Sequence, residues 1–219
     1  MSAAVVPVKS LAASKSRLLP DLSRGDLEAL SLAMLEDVLT ALLATPALER
    51  VAVATPDDRV AETARRLGAE ALHGPDPGLN AAIDAAASKL HLGPTTPLLV
   101  VLGDVAGARA EDLQALFVEC DRMRAEGAER VAVLAPSRDG GTSALLRAPH
   151  DAIPSRFGPQ SAAAHRAAAE ASSTPFASLP LDSLAIDLDR AEDVALFLAS
   201  EGNGRATRAL LERLEWRGH

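Results

Sequence analysis

Short apolar runs alternate along this chain with longer stretches in which apolar residues recur every three or four positions. The short runs predict buried strands, and the longer stretches predict amphipathic helices. Strands are predicted at 3–8, 51–54, 98–102, 131–134, 143–147 and 184–186. Helices are predicted at 27–42, 60–67, 78–90, 113–123, 162–171, 190–200 and 205–214. This alternation predicts an α/β fold, a single Rossmann-like domain over residues 1–219 with a mostly parallel sheet between two layers of helices.

The length and composition of the chain fit one globular domain in the cytoplasm. It has 219 residues, of which 48% are hydrophobic and 24% charged, as in ordinary soluble proteins. The formal net charge of -8 argues against a nucleic-acid partner, which would need a basic face. No apolar run approaches the ~18 residues of a transmembrane helix, and the amino terminus lacks the apolar stretch of a signal peptide. We therefore expect a cytoplasmic protein without membrane contact, and a homodimer is one option for its assembly.

Candidate functional residues directly follow the predicted strands. In open parallel sheets, ligands bind beyond the carboxyl ends of the strands. This rule places Lys9, Thr55 and Asp104 at one edge of the sheet, together with the 137–142 loop and the 187–189 segment. We therefore expect carboxylates and basic groups to share one crevice there.

Three acidic residues in this group are candidate metal ligands. Asp187 and Asp189 flank Leu188, so an extended backbone would direct both carboxylates to the same side. Two neighbouring carboxylates repel each other unless a cation lies between them, and Mg²⁺ is commonly held by a few carboxylates together with waters and phosphate oxygens. The alternative interpretation is structural, because Asp104 could serve in a turn and Asp189 could cap the following helix.

A basic segment after the first strand is a candidate for phosphate binding. Lys9, Lys15 and Arg17 place three cations within nine residues, which suits a triphosphate, although a solvated basic loop has the same pattern. The chain contains neither the Walker P-loop pattern nor a Gly-x-Gly-x-x-Gly pattern after a strand. Both of those classes of nucleotide site are therefore disfavoured.

Two further loops offer backbone N–H groups and hydroxyls to an anion. Gly140 and Gly141 permit close approach of the backbone, and Thr142 adds a hydroxyl. Ser161 ends the 156–161 loop and precedes a helix, whose amino terminus attracts phosphate, although Ser161 could serve only as a helix cap. The histidines show no metal-ligand spacing and are interpreted as surface or packing residues: His73, His91, His150, His165 and His219.

The order and spacing of these segments resemble the 2-phospho-L-lactate guanylyltransferase family, which includes the phosphoenolpyruvate guanylyltransferases of coenzyme F-420 biosynthesis. The resemblance covers about residues 5–194. The matching segments are Pro-Val-Lys at 7–9, Lys-x-Arg-Leu at 15–18, Met-Leu-x-Asp at 34–37, Leu-Asn-x-Ala-Ile at 79–83, Gly-Asp at 103–104, Gly-Gly-Thr-x-Ala-Leu-Leu at 140–146, Arg-Phe-Gly-Pro-x-Ser at 156–161 and Asp-x-Asp-x-x-Glu-Asp at 187–193.

The resemblance implies a fold similar to that of nucleotide-diphospho-sugar transferases, with GTP as the donor and Mg²⁺ as the cofactor. It implies that the phosphate of a small phosphorylated carboxylic acid attacks the α-phosphorus of GTP and that pyrophosphate leaves. By this comparison Asp104, Lys15 and Arg17 are catalytic, and Asp104, Asp187 and Asp189 bind the metal. Three residues would bind the acceptor: Thr142, Gly158 and Ser161. The residues expected to contact the nucleotide are Pro7, Val8, Lys9, Lys15, Arg17, Thr55 and Asn80.

The acceptor and the activity both leave alternatives open. The three candidate acceptors, 2-phospho-L-lactate, phosphoenolpyruvate and 3-phosphoglycerate, differ by a few atoms around the same phosphate and carboxylate. Another nucleotidyltransferase of the same fold is disfavoured, because such families usually carry a glycine-rich first loop and this chain has no glycine before Gly25. A degenerate member that binds GTP without transfer is a further option. It is suggested by the 105–107 loop, where Ala106 replaces the family's usual proline and predicts a less rigid turn.

Overall fold

The structure is a computed structural model that describes residues 2–13, 18, 22–200 and 203–216. Its described residues contain a seven-stranded sheet with the strand order β3-β2-β1-β4-β6-β5-β7. The strands are β1 (Ala3–Pro7), β2 (Arg50–Thr55), β3 (Glu70–His73), β4 (Leu98–Val101), β5 (Val131–Pro136), β6 (Thr142–Ala148) and β7 (Phe176–Ser178). Strand β6 runs antiparallel to both of its neighbours, and all other pairs are parallel.

Helices connect the strands and cover both faces of the sheet. They are α1 (Arg24–Leu43), α2 (Asp58–Leu67), α3 (Leu79–Lys89), α4 (Ala110–Ala125), α5 (Ser161–Ala171), α6 (Ala191–Ala199) and α7 (Arg205–Arg213), with short 3-10 helices at Leu11–Ala13 and Asp182–Leu184. Local signals in the sequence fix several ends. Ser23 and Asp26 form a capping box that starts α1, and Gly68 ends α2 in a left-handed conformation. None of the helices in these described ranges has the length and apolar character needed to cross a bilayer.

The core lies on both faces of the sheet because the central strands are apolar at every position. In β1, Ala4 and Val6 belong to the cluster under α1 and α4, whereas Ala3 and Val5 belong to the cluster under α3. Such uninterrupted apolar strands are typical of a parallel sheet that is covered on both sides. A third cluster joins the start of α1 to α6 and α7.

A buried carboxylate fixes the position of the last helix. Asp37, on α1, accepts hydrogen bonds from the backbone N–H groups of Ala206 (2.9 Å) and Thr207 (2.8 Å) at the start of α7. These donors have no partner within their own helix, and the negative charge faces the positive end of the helix dipole. The aspartate of the Met-Leu-x-Asp segment therefore has a structural role.

The structure confirms the predicted fold class and corrects some elements. The strand predicted at 184–186 is wrong: a 3-10 helix occupies Asp182–Leu184, and the segment after it joins no strand. The reason is that Leu184 and Leu188 are buried individually, and the backbone between them does not pair with a neighbouring strand. Strands β3 and β7 were not predicted, because each is short and partly exposed at the edge of the sheet.

The topology gathers one set of chain segments at a single edge of the sheet. The carboxyl ends of β1 to β5 meet there, and the amino end of the antiparallel β6 joins them. The order of the strands reverses between β1 and β4, which opens a crevice outside their carboxyl ends.

Candidate active site

A cavity of about 600 Å³ lies at the carboxyl ends of β1 to β4, within the usual size range for small-molecule sites. Residues of α3 and of the proline-rich 74–78 loop form a mostly apolar part of the lining, which also includes Asp76 and Lys89. Six of the predicted site residues line the cavity: Pro7, Val8, Lys9, Thr55, Asp104 and Asp189.

The loop after β1 is held in place by a residue of the next βα connection. Oδ1 of Asp57 caps α2 through the N–H of Arg59 (3.0 Å), and its Oδ2 accepts the N–H of Leu11 at 3.0 Å. One carboxylate thus orders both the helix start and the segment that carries Lys9. The predicted nucleotide ligands Lys15 and Arg17 lie outside the described residues.

The backbone brings Asp104 next to the 187–189 segment. The N–H of Leu188 donates to the carbonyl of Asp104 at 3.2 Å, and Leu188 itself is buried. The carboxylate of Asp193 accepts the N–H groups of Asp189 (3.3 Å) and Arg190 (2.8 Å), which fixes the backbone at the start of α6. Two acidic residues from distant parts of the sequence, Asp104 and Asp189, therefore line the same cavity.

This pair fits the way in which proteins bind Mg²⁺ together with a nucleotide. Mg²⁺ usually takes one or two protein carboxylates and completes its shell with waters and phosphate oxygens. Among the described residues, no group of three Asp, Glu, His or Cys side chains is arranged to hold a metal ion. Asp187 is not among the residues that line the cavity, so its role as a third ligand stays a prediction.

The loop after Asp104 is fixed by packing. Val105, Ala106 and Ala108 are fully buried, so apolar contacts hold the turn that the family usually fixes with proline. A Cβ on Gly107 would lie 3.0 Å from the carbonyl oxygen of Ser183, so only glycine fits there without displacing the backbone of the 182–184 turn.

The hairpin between β5 and β6 is shaped by one aspartate and two glycines. The Asp139 carboxylate accepts the Ser137 hydroxyl (2.5 Å) and the Gly141 N–H (2.9 Å), and these bonds hold the pKa of Asp139 below its ordinary value. Gly140 has a φ of 87°, and a Cβ on Gly141 would lie 2.6 Å from Oγ of Ser137. The left-handed backbone at position 140 therefore favours glycine, and a side chain at position 141 would displace the Ser137 hydroxyl or the Asp139 carboxylate.

Asn80 connects the cavity wall to the 156–161 loop. Its amide donates to the carbonyl of Phe157 (3.1 Å) and accepts the N–H of the same residue (2.8 Å). Asn80 is not among the cavity-lining residues, and its contacts position the loop against α3. Direct contact between Asn80 and a nucleotide stays a prediction.

The predicted acceptor residues Thr142 and Ser161 form a buried polar cluster with His165. Thr142 and Ser161 are each 2% exposed, and His165 is 0% exposed. The Ser161 hydroxyl donates to Oγ1 of Thr142 at 3.0 Å, and Nδ1 of His165 lies 3.1 Å from the same oxygen. Gly158, the third predicted acceptor residue, is exposed with a φ of 140°.

His165 is fully buried and packs edge-on against Phe157, as its interpretation as a surface or packing residue allows, but its polar contacts with Thr142 and Arg156 were not predicted. Burial, followed by the positive charges of Arg147 and Arg156, lowers the pKa of His165 to about 4, although the Ser161 backbone raises it. The imidazole is therefore neutral at neutral pH. The available signal in the sequence was the spacing of four residues between Ser161 and His165, which places both side chains on the same face of a helix.

The fold and the cavity define an α/β protein with a nucleotide-sized site at its topological switch point, lined by acidic side chains and two lysines, Lys9 and Lys89. The fold is similar to that of a structure described as a nucleotide-diphospho-sugar transferase from Desulfovibrio desulfuricans G20. That comparison has a TM-score of 0.75 at 16% identity and covers 98% of this chain and 97% of the other. The likeness confirms the predicted fold class.

The family described as "Guanylyl transferase CofC like" matches residues 2–217. The chain is 38% identical over 192 residues to a phosphoenolpyruvate guanylyltransferase of Sphaerobacter thermophilus, across 87% of this chain and 89% of that protein. It is 36% identical over 223 residues to a 3-phospho-D-glycerate guanylyltransferase of Phenylobacterium zucineum, across 99% of both. The chain therefore belongs to the guanylyl transferase CofC-like family, which confirms the resemblance and makes it a nucleotidyltransferase of the guanylyl-transferring kind.

Proposed function

We propose that this protein transfers GMP from GTP to phosphoenolpyruvate or 3-phospho-D-glycerate, with release of pyrophosphate, and that it serves coenzyme F-420 biosynthesis. The observation that carries the proposal is the cavity at the carboxyl ends of β1 to β4, where Asp104 and Asp189 face a nucleotide-sized space. The names of the two relatives above give these two acids as their acceptors, and this supports the choice of acceptor.

The composition of the cavity wall supports one orientation of GTP. The apolar surface of α3 and the 74–78 loop suits the guanosine, because a base and ribose bury well against aliphatic side chains. The triphosphate then extends toward Lys9, and Lys15 and Arg17, which follow in the sequence, stay the predicted further phosphate ligands. In this orientation the α-phosphate lies at the end of β4, near Asp104 and Asp189.

A divalent ion is part of the proposal. Asp104 and Asp189 would hold Mg²⁺, with Asp187 as the predicted further ligand. When bound, the ion supplies charge neutralisation and Lewis acidity at the phosphate oxygens.

The proposed reaction needs no general base from the protein. An oxygen of the acceptor phosphate, which is already an anion, attacks the α-phosphorus of GTP. The bond from that phosphorus to the β-phosphate oxygen breaks, and pyrophosphate leaves. The residues then act by position and charge: the 156–161 loop and Thr142 hold the acceptor, while Lys15 and Arg17 stabilise the departing pyrophosphate.

An acceptor panel tests this function. The purified protein is incubated with GTP, Mg²⁺ and one of three acids: 2-phospho-L-lactate, phosphoenolpyruvate or 3-phospho-D-glycerate. Mass spectrometry then detects the guanylylated product, and a coupled assay measures pyrophosphate. We expect product with phosphoenolpyruvate or 3-phospho-D-glycerate and none when ATP or CTP replaces GTP. GTP binding without product for any of the acids would refute the proposal and favour a non-catalytic GTP-binding member.

A further inference from the structure

The hydrogen-bond directions around His165 determine where its proton lies. The backbone N–H of Arg156 donates to Nε2 of His165 at 2.9 Å, so Nε2 must be an unprotonated acceptor. A neutral imidazole carries one N–H, and that proton must then be on Nδ1. The Nδ1–H group therefore faces Oγ1 of Thr142 at 3.1 Å, and the backbone carbonyl of Ser161 is a second acceptor for it.

The same assignment of donors and acceptors determines the role of the Thr142 hydroxyl. Its oxygen receives the Ser161 hydroxyl at 3.0 Å and faces Nδ1–H of His165. Because Nδ1 already carries a proton and Ser161 donates to Thr142, neither of them accepts the hydrogen of the Thr142 hydroxyl, which is left to donate elsewhere. Within the described residues, no further hydrogen bond to Oγ1 of Thr142 is found beyond those to Ser161 and His165.

Thr142 lies at the same edge of the sheet as the cavity but is not among the residues that line it, so its contact with the acceptor is part of the proposed function. Thr142 begins β6, beside the carboxyl end of β4, where the N–H of Leu102 donates to the carbonyl of Ser143 at 3.0 Å. Thr142 and Ser161 are each 2% exposed and His165 is 0% exposed, so a contact of this cluster with the acceptor would come from a hydroxyl and not from the ring. The oxygens of an ionised phosphate or carboxylate are pure acceptors and match a hydroxyl that has a hydrogen left to donate.

We infer that His165 is a positioning residue, which holds the Thr142 hydroxyl as an obligate donor to an anionic oxygen of the acceptor and ties it to the 156–161 loop. This inference rests on the proposed function, because the acceptor is the anion concerned. His165 acts through Thr142 and through the backbone of Arg156, without contact with the reacting atoms. The lowered pKa of His165 supports the inference, since a protonated ring would lose the Arg156 contact.

Two side-chain replacements separate the contacts of the ring. In His165→Gln, the longer amide can accept the Arg156 N–H but offers no ring N–H to Thr142. In His165→Asn, the shorter amide can donate to Thr142 but does not reach Arg156. Thr142→Val removes the hydroxyl itself, and Glu170→Gln, at an exposed position of the same helix, is the matched control.

Steady-state kinetics with phosphoenolpyruvate give the first readout. We expect His165→Gln and Thr142→Val each to raise the acceptor KM about tenfold, the effect of one hydrogen bond to a charged group, with the KM for GTP unchanged. The double variant should lose little more than either single variant, because both remove the same contact. His165→Asn should retain most of the acceptor affinity. Equal rises in both KM values, or an unchanged acceptor KM in His165→Gln, would overturn the inference.

Long-range ¹H–¹⁵N NMR of protein labelled at histidine gives a second readout that needs no turnover. We expect the Nδ1–H tautomer for His165, and a shift of this proton when phosphoenolpyruvate binds. Thr142→Val should abolish the shift, and Glu170→Gln should preserve it. An Nε2–H tautomer, or no response to binding, would overturn the inference. A response to binding in a protein that forms no guanylylated product would refute the proposed function and leave this inference standing.

Discussion

The neutral imidazole of His165 makes the stability of the protein sensitive to mild acid. The ring is fully buried, and its environment lowers the pKa from the ordinary 6.5 to about 4. In the unfolded chain the same ring becomes protonated below its ordinary pKa. Between these two pKa values the unfolded state binds one proton that the native state does not, so the native state loses stability as the pH falls.

The size of this effect follows from the difference between the two pKa values. The lowering of the pKa from 6.5 to about 4 corresponds to roughly 3 kcal/mol, at 1.36 kcal/mol for each pKa unit. The loss in the free energy of unfolding is absent above pH 7, grows as the pH falls between the two pKa values and is complete near pH 4. It is a large fraction of the stability of a typical domain, which is about 5–15 kcal/mol.

Urea denaturation at a series of pH values from 8 to 4 measures the effect. The quantity of interest is the difference in the free energy of unfolding between the wild type and His165→Gln, because the carboxylates titrate in both. We expect the advantage of the wild type to shrink by about 3 kcal/mol as the pH falls. His91→Asn is the matched control, since His91 is exposed and its φ of 49° suits asparagine. A difference between wild type and His165→Gln that stays constant with pH would refute the reasoning.

Three further substitutions test the structural supports of the site. Asp37→Leu should cost about 3 kcal/mol in urea denaturation, because two buried N–H groups of α7 lose their acceptor, while Asp37→Asn should cost less; equal losses would contradict this. Asp57→Ala should raise the KM for GTP several-fold by releasing the N–H of Leu11, and an unchanged KM would argue against this role. Gly141→Ala should lower the melting temperature, because its Cβ would lie 2.6 Å from Oγ of Ser137; an unchanged melting temperature would show that the turn can adjust.

The edge of the sheet that carries the site was predictable from sequence because it depends on local signals. The apolar runs of β1 and β4 identify central strands, and the residues that follow them must emerge at the carboxyl edge. Lys9, Thr55 and Asp104 accordingly line one cavity. The short edge strands β3 and β7 were missed, because three or four partly exposed residues are too few to show a clear alternation of apolar and polar positions.

The contacts that shape the site were not predictable, because they join residues that are far apart in the sequence. The hydrogen bond from Leu11 to Asp57 spans 46 residues, and those between Asn80 and Phe157 span 77. No local pattern distinguishes an aspartate that only caps a helix from one that also holds a distant loop. The proton position of His165 likewise depends on Arg156 and Thr142, and only the tertiary structure brings these residues together.

The most direct test of the central claim is the rate of GMP transfer in Asp104→Asn. Asparagine keeps the shape of the side chain at the end of β4 and removes its charge. We expect kcat with phosphoenolpyruvate or 3-phospho-D-glycerate to fall about 100-fold or more, with the circular dichroism spectrum unchanged. The reason is that the variant lacks the carboxylate charge that is proposed to hold Mg²⁺ at the reacting phosphate. Asp182→Asn, at an exposed position of the neighbouring turn, should keep wild-type kcat. Near-normal turnover in Asp104→Asn would contradict the placement of catalysis at this edge of the sheet.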